Sequence, residues 1–126
     1  MVSISSMMMM CLTLMICFGV PLLLFWFIRQ RYQASIKSFF VGLIVFIVTT
    51  QILEAVVHVY LLKVNQTTSI WLMQPLIYSL YGGLMAGVFE ETGRYFSFKW
   101  FLKKENRIQD GVSYGIGHGG IEAMLI

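Results

Sequence analysis

Residues Met7 to Ile28 read MMMMCLTLMICFGVPLLLFWFI, 22 positions without a charge. At about 1.5 Å of rise per residue, a helix of that length covers a hydrocarbon core of roughly 30 Å. The run is read as a first membrane-spanning helix. A cleaved secretory signal would carry a basic start, a shorter apolar centre and a small-residue cleavage site. Met1 to Met10 holds no positive residue, so the uncleaved reading is preferred.

The rest of the chain follows the same pattern. Its 126 residues contain 9 Lys and Arg and 6 Asp and Glu against 58% hydrophobic residues, with a mean hydropathy of +0.77. A soluble domain of this size could not cover so much apolar surface. The net charge of +3 is not gathered into the basic patch that nucleic-acid binding needs, so no nucleic-acid partner is expected. Membrane lipid is the expected surroundings. Cys11 and Cys17 both lie in the first apolar run, which leaves no disulfide framework and no zinc knuckle.

A second apolar stretch, Phe39 to Leu62, is interrupted by Gln51, Glu54 and His58, and a short polar loop from Lys63 to Ser69 follows. A third starts near Ile70, has Pro75 suited to a first helical turn, and continues through Glu90 and Glu91 to about Trp100. After the polar connection Lys103 to Asp110, small and apolar residues resume at Gly111 and run to Ala123-Met124-Leu125-Ile126. The expectation is an all-α, polytopic transmembrane helix bundle. It has three complete spans (7–28, 39–62, 70–100) and the start of a fourth (111–126), in one membrane domain that is the N-terminal part of a longer chain. Functional expectations therefore concern the parent protein.

Basic residues set the expected orientation. The connections at 29–38 and 94–107 hold three and five of them, and the one at 63–69 holds one. The positive-inside rule makes loops 29–38 and 101–110 cytoplasmic and puts the N-terminus outside. Asn65-Gln66-Thr67 matches a glycosylation sequon, a pattern too permissive to carry weight.

Ionisable groups inside spanning helices cost on the order of 2.5 to 3.5 kcal/mol each on insertion scales, so each needs a partner or a task. Glu54 and His58 stand four apart on a face shared with Gln51. Glu90 and Glu91 are adjacent, with Arg94 one turn beyond Glu90 and able to pair with it. His118 and Glu122 are again four apart. Glu90 should lie about 22 Å from the outer end of its helix and His118 about 10 Å from the cytoplasmic face on the returning one, so the two can meet. By the same count Glu54 sits nearer the outer leaflet and ranks second. Tyr95, Phe96, Phe98, Trp100 and Phe101 form an aromatic belt at the cytoplasmic headgroup level.

Two carboxylates and an imidazole near a water-accessible membrane face can activate water or hold a divalent metal. Residues four apart, as His118 and Glu122 are, can reach one ion. The same residues also have structural readings. Glu90 with Arg94 can be an ion pair, Glu54 with His58 a hydrogen-bonded packing pair, and Gly115, Gly117, Gly119 and Gly120 can serve close helix approach. Gly115, Gly117 and Gly120 match the spacing of a dinucleotide fingerprint, but no strand precedes them, so that match is rejected. Gly83 and Gly87, beside Gly82 and Ala86, suit a tightly packed third helix.

The stretches Phe89-Glu90-Glu91-Thr92-Gly93-Arg94-Tyr95 and Tyr114-Gly115-Ile116-Gly117-His118-Gly119-Gly120-Ile121-Glu122-Ala123 closely resemble the YhfC family of bacterial intramembrane metalloproteases. That family is related to the CAAX-prenyl-protease and bacteriocin-processing superfamily. Gln51 to Ala55 with His58, and Tyr78 to Gly83, also look like the family, so the similarity covers most of the chain from about residue 40. In the superfamily E-E-x-x-x-R supplies a water-activating base and aromatic-x-x-x-His its partner. Tyr114 to His118 fits the second pattern. Arg94 follows Glu91 after two residues where the superfamily has three.

The resemblance implies a membrane hydrolase in which Glu90 or Glu91 activates water and His118 polarises the scissile carbonyl or helps hold a metal, with Arg94 beside them. Glu91, His118, Glu122, Glu54 and His58 are the implied metal-ligand candidates, for a divalent metal with zinc foremost. A membrane-embedded or prenylated peptide is the implied substrate. Two alternatives stay open: a proton- or cation-coupled transporter or channel, and a non-catalytic binder of a membrane peptide or prenyl chain.

Overall fold

The computed structural model describes residues 3–125; Met1, Val2 and Ile126, which fall in the first and last segments expected from the sequence, lie outside the described residues. Five helices follow one another: α1 (Ile4–Tyr32), α2 (Ile36–Val64), α3 (Gln66–Leu72), α4 (Pro75–Phe101) and α5 (Ile108–Leu125). There is no strand among the described residues, and the fold is an all-α membrane bundle.

Two helices, α1 and α2, are long and apolar enough to cross a membrane, and α3 with α4 makes a third if that bent pair counts as one span. This corrects the expected count of three complete spans and part of a fourth. The continuous helix expected from Ile70 to Trp100 is broken, with α3 and α4 meeting at 103°. Pro75 is the cause. Its ring disfavours helical geometry at the preceding residue, and Gln74 is accordingly extended at ψ 132°. Ile70 thus belongs to α3, which Asn65 caps by accepting from the Thr68 N–H at 3.2 Å. The α5 helix carries Asp110, His118, Glu122 and five glycines in its 18 residues and does not qualify as a span by length and composition.

Local chemistry explains the other ends. Ser3 caps α1, and α1 ends where Gln33 adopts a left-handed conformation at φ 51°. Ser35 then caps α2 through the Ser38 N–H. Two of the three π-helical stretches among the described residues, Ile47–Glu54 in α2 and Ser97–Phe101 at the end of α4 but not Tyr60–Val64, contain hydroxyls that bond back one turn. Thr49 Oγ1 donates to the Val45 carbonyl and Ser97 Oγ to the Gly93 carbonyl, each at 2.7 Å. A hydroxyl competing for a ladder carbonyl favours a local shift to the wider i to i+5 pattern.

Glycine sets how the helices approach. A Cβ on Gly117 would overlap the Phe39 carbonyl oxygen, and one on Gly42 the Tyr114 carbonyl oxygen, so α2 and α5 touch backbone to backbone. Small residues are the usual means of such approach where apolar burial gives no drive between helices. Gly93 admits α4 to the Val45 and Thr49 side chains of α2, and Gly120 admits Pro21 of α1. By contrast Gly82, Gly83 and Gly87 face open space, so the close packing expected of that stripe on the third helix is not made among the described residues.

A candidate intramembrane site between α4 and α5

The α5 helix is held at its start by a polar clamp. Asp110, fully buried at 0% exposure, accepts from the Ser35 N–H at 2.9 Å and from Arg107 Nε and Nη2 at 2.9 and 3.0 Å. Arg107 Nη2 also donates to the Gln33 carbonyl, and Ser113 Oγ to the Ser35 carbonyl at 2.8 Å. Burial pushes the Asp110 carboxyl upward, but the Arg107 guanidinium and the Ser35 N–H outweigh it and hold the group below its ordinary value. Read from sequence, Asp110 falls in a polar connection and this role is missed. The spacing of Arg107 and Asp110, three apart at a helix start, is the signal that could have found it.

From that anchor, Tyr114, His118 and Glu122 rise at intervals of four along one face of α5. They line a cavity of about 430 Å3 together with Gly111, Gly115 and Gly119. The opposite wall is α4, which contributes Glu90, Arg94 and Phe98. Glu90 and His118, which belong to separate motifs, therefore share one cavity. His118 is 7% exposed. Its ring stands edge-on to Phe46 at 5.1 Å and stacks on Tyr114 at 5.8 Å, which fixes its plane. Among the described residues neither ring nitrogen has a hydrogen-bond partner, and the buried Tyr114 hydroxyl has none either. Buried polar atoms are rarely left so without a ligand or a role.

Arg94 is not paired with Glu90. Its Nη1 donates to Glu91 Oε1 at 2.8 Å on the exposed side of α4. Spacings of three and four both allow a pair on a helix; here the three-residue pair forms and Glu90 is left to the cavity without an ion pair among the described residues. Glu91 does not line the cavity.

Glu54 and His58 form a separate cluster. His58 Nε2 lies 3.1 Å from Glu54 Oε1, and His58 Nδ1 lies 2.7 Å from the Tyr81 hydroxyl of α4. Tyr81 is not a candidate from sequence, because its partner becomes visible only once α2 and α4 are aligned. Glu54 is 6% exposed and its second oxygen has no partner.

The five metal-ligand candidates fall in different places. Glu54 and His58 are bonded to each other and to Tyr81, Glu91 is bonded to Arg94, and only His118 and Glu122 of the five line the cavity. Among the described residues no three His, Cys, Asp or Glu side chains are grouped closely enough to hold a metal ion. The residues present do not make a ligand set on their own.

Residues 14–126 match the family described as YhfC intramembrane metalloprotease. The chain belongs to the YhfC family. One curated relative, the "Uncharacterized membrane protein YhfC" of Bacillus subtilis (strain 168), is 48% identical over 112 residues, which is 88% of this chain and 43% of that protein. The chain thus spans less than half the length of this YhfC relative. No solved structure matches. The YhfC family description implies a membrane protease and a metal, and the spans with the related membrane protein establish a membrane location.

Proposed function

We propose that the protein hydrolyses a peptide bond at or within the membrane, with the α4/α5 cavity as its reaction site. The observation that carries this is His118, buried with both ring nitrogens unpartnered in the same cavity as Glu90. A carboxylate and an imidazole lining one cavity are the parts that general acid–base hydrolysis needs.

The Glu90 carboxylate takes a proton from a water molecule as the water oxygen attacks the scissile carbonyl carbon. An N–H of His118 donates to the carbonyl oxygen as it gains charge. The proton held on Glu90 then passes to the leaving nitrogen as the C–N bond breaks, which returns Glu90 to its starting form. Arg94 fixes the neighbouring carboxylate of Glu91, and Tyr114 holds the imidazole plane. Glu122 lies one turn deeper than His118 on the same face and orients the substrate. No step depends on a metal; zinc, the metal best suited to such donors, would need ligands beyond His118 and Glu122. A membrane-embedded peptide, prenylated or not, is the substrate class. The basic connections at 29–38 and 101–110 face the cytoplasm and the N-terminus lies outside, on the positive-inside rule.

The test is cleavage by the full-length protein carrying Glu90→Gln or Glu91→Gln. Turnover is lost with the first and retained with the second. Retained turnover with Glu90→Gln contradicts the assignment.

A second reading has one specific observation behind it. The chain Tyr81–His58–Glu54 is the hydrogen-bonded order that a proton relay uses. It predicts proton flux in vesicles that His58→Phe abolishes, with no peptide cut.

A further inference from the structure

A second groove, which shares only the Gly115 and Gly119 backbone with the wall of the candidate site, runs along the seam of α1 and α5. Its main part has a volume of about 550 Å3 and is lined by Cys17, Val20 and Leu24 on α1 and by Val112, Ile116 and Ala123 on α5. A second part of about 310 Å3 continues it past Val112 to Ile28, Tyr32 and Ile108. Val112 lines both parts, so they form one channel. From Ile108 to Ala123 the channel extends about 22 Å at 1.5 Å per residue. One leaflet contributes about half of a hydrocarbon core of roughly 30 Å, so the groove is long enough to take an acyl chain along its length.

The two ends differ in charge. The deep end, at Ile16 and Ala123, is apolar. At the other end Arg29 and Arg31 occupy the last turn of α1, next to Ile28 and Tyr32 of the lining. Arg29 bonds the Ala34 carbonyl at 2.7 Å. Arg31 has no hydrogen bond or ion pair to any other described residue. Of the acids nearby, Asp110 is paired with Arg107, and Glu105 lies 3.6 Å from Lys37 with its other oxygen unpartnered among the described residues. A long apolar slot headed by two arginines, of which Arg31 has no partner among the described residues and Arg29 bonds only a neutral carbonyl, matches an amphiphile with an anionic head.

We propose that the α1/α5 groove binds one anionic glycerophospholipid, its acyl chain between Leu24 and Ile116 and its phosphate at Arg29 and Arg31. The assignment is independent of the hydrolytic reading. Cations near an anionic lipid surface contribute about fivefold in affinity each, so the arginine pair sets a clear preference for an anionic over a zwitterionic head.

The two native cysteines provide the test, because Cys17 lines the groove and the exposed Cys11 does not. The full-length protein in detergent micelles is labelled with a maleimide in the presence of phosphatidylglycerol, phosphatidylcholine or glycerol phosphate. Phosphatidylglycerol is expected to slow Cys17 labelling at least fivefold relative to phosphatidylcholine, with Cys11 unchanged and glycerol phosphate without effect. The double substitution Arg29→Gln/Arg31→Gln removes the preference between the two lipids, and Val112→Trp, which blocks the channel where its parts join, removes protection by both. Equal Cys17 rates in the two lipids overturn the proposal, as does a headgroup preference that survives the double substitution. A Cys17 that is unreactive before any phospholipid is added overturns it too, since protein would then fill the groove.

Discussion

Replacing Gly117 by Ala adds one methyl group at the tightest point between α2 and α5. The new Cβ would overlap the Phe39 carbonyl oxygen and lie 2.8 Å from its carbon and 3.1 Å from its Cα. All three atoms are backbone, so no side-chain rotation relieves the clash, and the helices must separate by roughly an ångström. Overpacking of this kind costs about 1 to 3 kcal/mol, and Ala in place of Gly returns up to about 1 kcal/mol of helix propensity. A net loss of about 0 to 2 kcal/mol is expected. Gly119, two residues on, is the internal control. A Cβ there meets nothing within 4 Å, so Gly119→Ala keeps the propensity gain and is neutral or stabilising by up to about 1 kcal/mol. Reversible unfolding in mixed dodecyl sulfate and mild detergent micelles, followed by far-ultraviolet circular dichroism, measures both. Equal effects of the two substitutions would refute the packing of α5 on α2, and with it the depth assigned to His118.

Two further outcomes follow from the polar groups. The Asp110 carboxyl is held below its ordinary value in the folded protein, so its contribution is fully present above the unfolded value of about 3.9 and is lost as pH falls through the lower folded value. Acid unfolding curves of wild type and Asp110→Asn should therefore converge below about pH 4, and curves that stay parallel to the acid end contradict the clamp. His58→Phe keeps a ring beside Tyr81 but leaves the Tyr81 hydroxyl and Glu54 without their shared partner; it should cost about 1 to 2 kcal/mol in the same unfolding assay and leave peptide cleavage intact.

The first span was legible because an uncharged run of 22 residues has few alternatives to crossing a bilayer. The meeting of Glu90 and His118 was legible for a related reason: residue counts from the helix ends translate directly into depth. What the pattern left hidden depends on rotation and pairing. Apolar character on all sides concealed the break before α4, although Pro75 marked its position. Spacings of three and four were both open to Arg94, and only the packing of α4 on α2 through Gly93 decides which carboxylate faces the cavity. The separation of Glu54 and His58 from His118 follows from their bond to Tyr81, a contact 23 residues away in sequence. Asp110 was hidden because polar connections are read as solvated, whereas here the carboxylate satisfies the first turn of α2 and is buried by doing so.

The most direct test of the proposed site compares its histidine with the other one. Bacterial membranes carrying the full-length wild type, His118→Ala or His58→Ala are surveyed for new peptide N-termini by mass spectrometry, a readout that reports cleavage of any membrane substrate. The account predicts new N-termini with wild type and with His58→Ala and none with His118→Ala. New N-termini that persist with His118→Ala would contradict it.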